Sequence, residues 1–395
     1  MNDELTTRLS RQLHDQVDDW HHTPLTLTGV QGRARTIRRR RQALTTGVVA
    51  AAVLAVGIPV GLSLDARTDS SDVPVAPSPS RVVDSAVPGG GSEIGLPYLE
   101  DRILTLETGE ELPLLDTYTG GAVVDGTVYA LSQDPDSLQN ELSRLDDQGR
   151  ADGAVRVTES GIVTNAARSA IAYVRSEDDR AVVVGASGEE TELGDLGDYG
   201  AAQLVALVGG PDCAESAGSC TLWFNDGQGG AWVMDAAGEV TQAPGSPVEV
   251  TDVAPDGRVA SVTDVDLTAG GACSAVAEPE GQQVFRTCDH TVGRFAPGGD
   301  HLSAHPAYQS GIGDTFVAIL DAGGTEVARY EADRGDFVRS STWEDAEHLL
   351  VTTYSYRDGW SVVRLGVDGS TETALGPDDS TGDARPAFTV LGTSS

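Results

Sequence analysis

The segment VTDVAPDGRVASV, residues 250–262, places the turn sequence Pro-Asp-Gly at 255–257 between two short runs of alternating apolar residues. An alternation of period two is typical of strands that bury one face, and Pro-Asp-Gly favours a tight turn. The segments VGRFAPGGDHLSA (292–304) and RSSTWEDAEHLLVT (339–352) have the same form. Each of the three segments therefore predicts an antiparallel hairpin.

A second hairpin pattern recurs along the chain, in which alternating apolar residues flank a turn of Asp, Gly and small residues. Its copies are LTLETGEELPL (104–114), LSRLDDQGRADGAV (142–155), VVVGASGEETEL (182–193), AWVMDAAGEVTQA (231–243), AVAEPEGQQVFR (275–286), VAILDAGGTEVARY (317–330) and VVRLGVDGSTETAL (362–375). Neighbouring turns are about 40–49 residues apart, which is the spacing of propeller blades. Together the two patterns predict units of four strands.

The repeated hairpins predict an all-β fold, a seven-bladed β-propeller, with six blades as the alternative count. The motif APDGRVAS, together with FAPGGDHLS and TWEDAEHLL, resembles the TolB-type, WD-like propeller repeat, whose core is an aromatic residue and Ser-Pro-Asp-Gly followed by an apolar strand. The resemblance covers residues 248–375 by motif and 115–245 by hairpin pattern, and Val253 and Ala254 depart from it. It implies a fold and not an activity.

The two ends of the repeat region each lack a partner. The segment ARPAFTVLG (384–392) has an apolar strand but no hairpin, and the hairpin near 103–114 has no strand pair before it. A blade shared by both ends would close the ring and remove open sheet edges. We therefore predict that the last strand joins the first hairpin.

A long uncharged run near the amino terminus follows a cluster of four arginines: Arg38, Arg39, Arg40 and Arg41. The run, ALTTGVVAAAVLAVGIPVGLSL, covers residues 43–64. At about 1.5 Å per residue, a helix of this length spans the hydrocarbon core of a bilayer. Because cytoplasmic flanks carry the excess of basic residues, the arginines orient the amino terminus inward. The sequence thus predicts an uncleaved signal anchor with a single transmembrane helix.

The anchor divides the chain into four parts. Residues 1–42 form a cytoplasmic segment that includes a short amphipathic helix, and residues 43–64 form the anchor. Residues 65–94 are rich in Pro, Ser, Asp and Gly and are typical of a linker. The predicted propeller then takes residues 95–395, which lie on the extracytoplasmic side of the cell membrane.

The chain has four cysteines, all of them after the apolar run. Cys273 and Cys288 flank a predicted turn at equal distances, so a hairpin would set them opposite each other at a spacing that a disulfide needs. Cys213 and Cys220 would close one short loop. Two disulfides are typical of an oxidising compartment, which agrees with the predicted location of the propeller.

The motifs of catalysis and metal binding are missing from the sequence. The Gly-x-Ser-x-Gly motif and the nucleotide-binding glycine patterns are absent, and the cysteines lack zinc-site spacing. His301 and His305 would be ~13 Å apart on an extended strand, too far to share a metal ion. We therefore predict no catalytic residue, no metal and no cofactor. Tyr354, Tyr356 and Trp360 flank a turn, where they either line a ligand surface or pack in the core.

The predicted function is a membrane-anchored binding or scaffolding module, non-enzymatic, for a protein, peptide or glycan ligand outside the cell. A net charge of -35 disfavours nucleic acid as a partner. One alternative is a transmembrane regulator similar to anti-sigma proteins, in which residues 1–35 bind a cytoplasmic partner. Another is a hydrolase or lyase that uses the central funnel, which predicts carboxylates or histidines converging on the innermost strands.

Overall fold

The computed structural model describes residues 94–133, 139–200, 202–213, 220–266, 271–308, 313–378 and 386–391. The predicted cytoplasmic helix, the arginine cluster, the transmembrane anchor and nearly all of the linker fall in residues 1–93, outside the described residues. Within the described ranges, no helix is long and apolar enough to cross a bilayer.

These residues form β-strands and one short 3-10 helix, Gly197–Tyr199. The strands at the start are β1 (Tyr98–Glu100), β2 (Ile103–Thr105), β3 (Glu111–Pro113), β4 (Gly120–Val124), β5 (Thr127–Gln133), β6 (Asn140–Leu145) and β7 (Ala151–Thr164). The next are β8 (Ala170–Arg175), β9 (Arg180–Gly185), β10 (Glu190–Asp195), β11 (Gln203–Val208), β12 (Thr221–Asn225), β13 (Ala231–Met234) and β14 (Val240–Gln242). There follow β15 (Glu249–Val253), β16 (Val259–Asp266), β17 (Gly271–Ala277), β18 (Gln283–Thr287), β19 (His290–Phe295), β20 (His301–Pro306) and β21 (Phe316–Asp321). The last are β22 (Glu326–Glu331), β23 (Phe337–Trp343), β24 (His348–Ser355), β25 (Gly359–Gly366), β26 (Thr371–Asp378) and β27 (Phe388–Val390).

The strands assemble into antiparallel sheets that follow the chain. Four-stranded sheets are formed by β11 to β14, β15 to β18, β19 to β22 and β23 to β26, and a further one has the order β27-β1-β2-β3. The strands β4 to β10 form one seven-stranded sheet. The strands β7, β11, β15, β19 and β23 contact one another in succession, so they line the centre of the molecule. The predicted all-β propeller is therefore confirmed as a fold type.

The predicted blade count is wrong. The described residues form five four-stranded blades, and neither seven nor six separate blades are present, because one continuous sheet spans Gly120–Asp195. Strand β7 is the cause: Ala151–Val157 pairs with β6, and Val157–Thr164 pairs with β8, across a register irregularity. The predicted count treated each hairpin as part of a separate blade. Strand β7 breaks that assumption, because its first part pairs with β6 and its last part pairs with β8.

Ring closure by the last strand is confirmed. Strand β27 pairs with β1, with Val390 opposite Tyr98 and Phe388 opposite Glu100. The Leu391 N–H extends this pairing by donating to the Pro97 carbonyl at 2.8 Å. The terminal strand thus completes the four-stranded sheet that begins the described chain.

The hairpin at 250–262 forms as predicted, from β15 and β16. Gly257 has a φ of 89°, which disfavours any residue with a Cβ, and its N–H donates to the Ala254 carbonyl at 2.9 Å. The related segments form the hairpins β19–β20 and β23–β24. Neighbouring blades are joined by buried polar contacts as well as by apolar packing: the Asn225 side chain bonds both backbone groups of Val250 at 2.9 Å.

Both predicted disulfides are present, Cys213–Cys220 and Cys273–Cys288. The second pair lies at the end of the β17–β18 ladder, next to the paired residues Ser274 and Thr287. The hairpin therefore sets the two cysteines opposite each other, with their Cα atoms 4.0 Å apart.

Candidate functional site

A cavity of about 440 Å³ lies where the innermost strands end. We call it the end pocket, because its lining follows the carboxyl ends of β7, β11, β15, β19 and β23. Much of that lining is apolar, and it includes Val163, Val205, Leu207, Val253, Phe295 and Trp343. Such a cavity suits an apolar group of a ligand.

Three charged residues, Asp252, Arg294 and Arg168, also line the pocket, and the first two carry opposite charges. Burial raises the pKa of Asp252 to about 6, and the positive charge of Arg294 offsets part of that rise. The Phe295 N–H donates to Asp252 Oδ2 at 2.8 Å, which also favours the carboxylate. Above pH 6 the pocket therefore presents a carboxylate and a guanidinium in a setting of low polarity, where polar contacts are strengthened.

The backbone of Arg294 is held from two sides. Its N–H donates to the Ser303 hydroxyl at 2.8 Å, and its carbonyl accepts from Trp343 Nε1 at 2.9 Å. Trp343 belongs to the next blade and is 6% exposed, so its indole links two blades at the edge of the pocket. These contacts fix the point from which the guanidinium extends.

A second cavity, of about 660 Å³, lies where the innermost strands begin. We call it the start cavity, because Gln203, Glu249 and Thr291, each the first or second residue of its strand, line it. It shares Val205 and Arg294 with the end pocket. Burial raises the pKa of Glu249. Polar and charged side chains make up a larger share of the lining of the start cavity than of the end pocket.

The residues that sequence analysis singled out are mostly remote from these cavities. Trp360 and Tyr354 are 1% and 8% exposed and pack on each other with ring centroids 4.9 Å apart, so they belong to the core, whereas Tyr356 is 61% exposed. None of the three lines either cavity. Of the two histidines considered as metal ligands, His305 lines the start cavity and His301 lines neither of the two cavities, and the described residues hold no cluster of three metal-binding side chains.

Sequence analysis missed Asp252 and Arg294, although a signal for them exists. In VTDVAPDG and VGRFAPGG, the two residues occupy the same repeat position, two before the alanine that precedes proline. That position is the next to last in the innermost strand of each hairpin and lines the end pocket. Charged residues are rarely buried near the end of a core strand. The two charges at this repeat position are therefore the signal that marks the site.

No protein-family model matches the sequence, and no curated protein does. Several solved structures are similar in fold. YCF48 bound to D1 peptide is 11% identical, covers 75% of this chain and 89% of that one, and has a TM-score of 0.44. The β-propeller domain of Myceliophteria thermophila Cps50 (Swd1) is 9% identical, with coverages of 66% and 87% and a TM-score of 0.44. Puromycin hydrolase is 14% identical, with coverages of 66% and 47% and a TM-score of 0.43. Similarities at this level assign no function to the chain.

Proposed function

We propose that the propeller is a binding module that holds an apolar group of a protein or peptide ligand in the end pocket. The observation that carries this proposal is a cavity of about 440 Å³ with a mainly apolar lining, in which Asp252 and Arg294 form a charge pair and Arg168 adds a second cation. Burial of one large apolar side chain contributes roughly 1.5–3 kcal/mol. The carboxylate and the guanidinium offer hydrogen bonds to the backbone of the same ligand, and the apolar lining favours a peptide over a glycan.

Filling the pocket is expected to weaken this binding. Val253 is partly exposed and lines the end pocket, so Val253→Trp places an indole where the ligand would insert. Peptides selected from a random library on the full-length chain should bind this variant at least ~10-fold more weakly, because about 1.4 kcal/mol of lost contact has that effect. Binding is measured by fluorescence anisotropy.

The matched control is Val284→Trp, the same substitution at a residue of β18 that is 40% exposed. This variant should bind the selected peptides as the unchanged chain does. Equal binding by Val253→Trp and Val284→Trp, with both variants folded by their melting temperatures, would contradict the proposal.

We further propose that the module works outside the cell and is held at the membrane by residues 43–64. The uncharged run after the arginine cluster and the two disulfides of the propeller support this location. The full-length chain should stay in the membrane fraction after an alkaline carbonate wash, whereas a chain without residues 43–64 should be released. Release of both chains would rule out the anchor. The regulator hypothesis rests on residues 1–35, outside the described part, and stays a prediction.

A further inference from the structure

A serine, a histidine and an aspartate form a hydrogen-bonded chain beside the start cavity. His305 Nδ1 is 2.9 Å from Asp314 Oδ2, and His305 Nε2 is 3.3 Å from the Ser341 hydroxyl. We assign the imidazole proton to Nδ1, because the carboxylate oxygen beside it can accept that hydrogen bond. In this tautomer Nε2 faces the serine hydroxyl as an acceptor, which is the arrangement that activates a serine as a nucleophile.

Three different elements from two neighbouring blades hold these side chains in place. His305 lies in β20 and Ser341 lies in β23. Asp314 is fixed to β23 as well, because its N–H donates to the Val338 carbonyl at 2.9 Å and its carbonyl accepts from the Val338 N–H at 2.8 Å. Asp314 lies between β20 and β21 in the blade of His305, and its backbone pairing with Val338 holds it against the strand that carries Ser341.

The histidine of this chain is accessible from the start cavity. His305 lines that cavity, and its side chain is 18% exposed. Gly293 lines the cavity beside it, where an added Cβ would be 3.5 Å from His305 Cδ2, so a larger residue would cover this edge of the ring. Ser341 itself keeps partial exposure. The cavity therefore gives a ligand access to the histidine, and the partly exposed serine lies against Nε2 of the same ring.

We propose that Ser341, His305 and Asp314 form a catalytic triad that hydrolyses neutral carboxylic esters at the edge of the start cavity, where His305 lines it. Ser341 Oγ attacks the ester carbonyl carbon, and its proton passes to His305 Nε2. The bond from that carbon to the alcohol oxygen then breaks, and the alcohol leaves with the proton from His305. Water attacks the acyl-serine, His305 takes its proton and returns it to Ser341, and a carboxylic acid is released. Asp314 orients the imidazole and stabilises its cationic form.

The neutral substrate follows from the charges around the cavity. Glu249 and Arg294 both line the cavity and their charges offset each other, so the net charge of -35 on the chain disfavours the approach of a carboxylate-bearing substrate. None of the three triad residues lines the end pocket, so the two proposals are tested by separate substitutions.

Covalent labelling of the full-length chain tests the triad directly. A fluorophosphonate probe should form an adduct on Ser341, identified by peptide mass spectrometry, and p-nitrophenyl butyrate should be hydrolysed. Ser341→Ala and His305→Gln should each lower this hydrolysis by at least ~100-fold, which is the usual contribution of a nucleophile or a general base. Asp314→Asn should lower the rate of ester hydrolysis by at least ~10-fold, and it should slow the labelling of Ser341 by a similar factor.

The control variant is Ser340→Ala, an exposed serine beside the nucleophile on the same strand, which should change neither rate nor labelling. If the three side chains serve only to join the two blades, the probe will form no adduct on Ser341. That result would overturn the proposal. Undiminished hydrolysis by a folded Ser341→Ala variant would overturn it as well. Because labelling is measured on the unchanged chain, the test holds even if a variant fails to fold.

Discussion

Replacing Phe388 by alanine is expected to lower the free energy of unfolding by about 3–5 kcal/mol. The Phe388 side chain is 4% exposed and packs in one core cluster with Trp360 and Val362. It is the buried side chain of β27, the three-residue strand that pairs with β1 and closes the ring. Its removal leaves a cavity at the closing blade and weakens the one sheet that joins both ends of the described chain.

Urea denaturation of the full-length chain measures this effect. The matched control is Thr389→Ala in the same strand, which keeps the backbone pairing with Leu99 and removes a partly exposed side chain. It should cost less than about 1 kcal/mol, in line with substitutions outside the core. If Phe388→Ala cost no more than this control, then β27 would contribute little to holding the ring closed.

The second large effect is expected at Glu344, in the last complete blade. Its side chain and that of Arg364 are 7% and 8% exposed, and the two form a bidentate ion pair. Arg364 Nη2 donates to Glu344 Oε1 at 2.9 Å, and the Gly95 N–H donates to the same oxygen at 2.6 Å. The carboxylate raises the pKa of Arg364 by hydrogen bonding its charged form. One side chain thus compensates a buried cation and fixes the start of the described chain.

Glu344→Leu should therefore lower the free energy of unfolding by about 3–5 kcal/mol, since it leaves the buried guanidinium with Glu372 as its remaining acidic partner. The double variant Glu344→Leu/Arg364→Leu should recover most of that loss, because no uncompensated charge is left in the core. Urea denaturation of the single and double variants gives both values.

An exposed ion pair provides the control. Glu141 and Arg156 are 3.9 Å apart, with side chains 32% and 54% exposed, so Glu141→Leu should cost less than about 1 kcal/mol. A double variant of Glu344 and Arg364 that is as unstable as the single one would show that the cost comes from lost packing and not from an unpaired charge.

Features that depend on neighbouring residues were predictable. The turn at 255–257 follows from Pro-Asp-Gly, and the Cys273–Cys288 disulfide follows from the symmetry of its hairpin. Ring closure through β27 was also predictable, because an unpaired apolar strand at each end of a repeat region requires a partner. The blade count was not, since nothing in residues 151–164 shows that one strand serves two partner strands.

The sites depended on contacts between residues distant in sequence. Asp252 and Arg294 occupy equivalent positions in two repeats, but their shared pocket exists only because β15 and β19 are neighbours at the centre. His305 and Ser341 are joined in the same way across two blades. The Gly-x-Ser-x-Gly motif describes a local turn around the nucleophile. Its absence from the sequence therefore does not argue against a nucleophilic serine that lies on a propeller strand.

By itself, then, the sequence determined the repeated hairpins, the disulfide pairs and the closing strand, because alternation, turn residues and spacing act over a few residues. Only the tertiary structure decided that β7 runs through two sets of partners, that a carboxylate meets a guanidinium in the end pocket, and that a serine, a histidine and an aspartate converge beside the start cavity. The physical reason is that packing of one blade against the next sets these distances, and inter-blade packing has no local pattern in the chain.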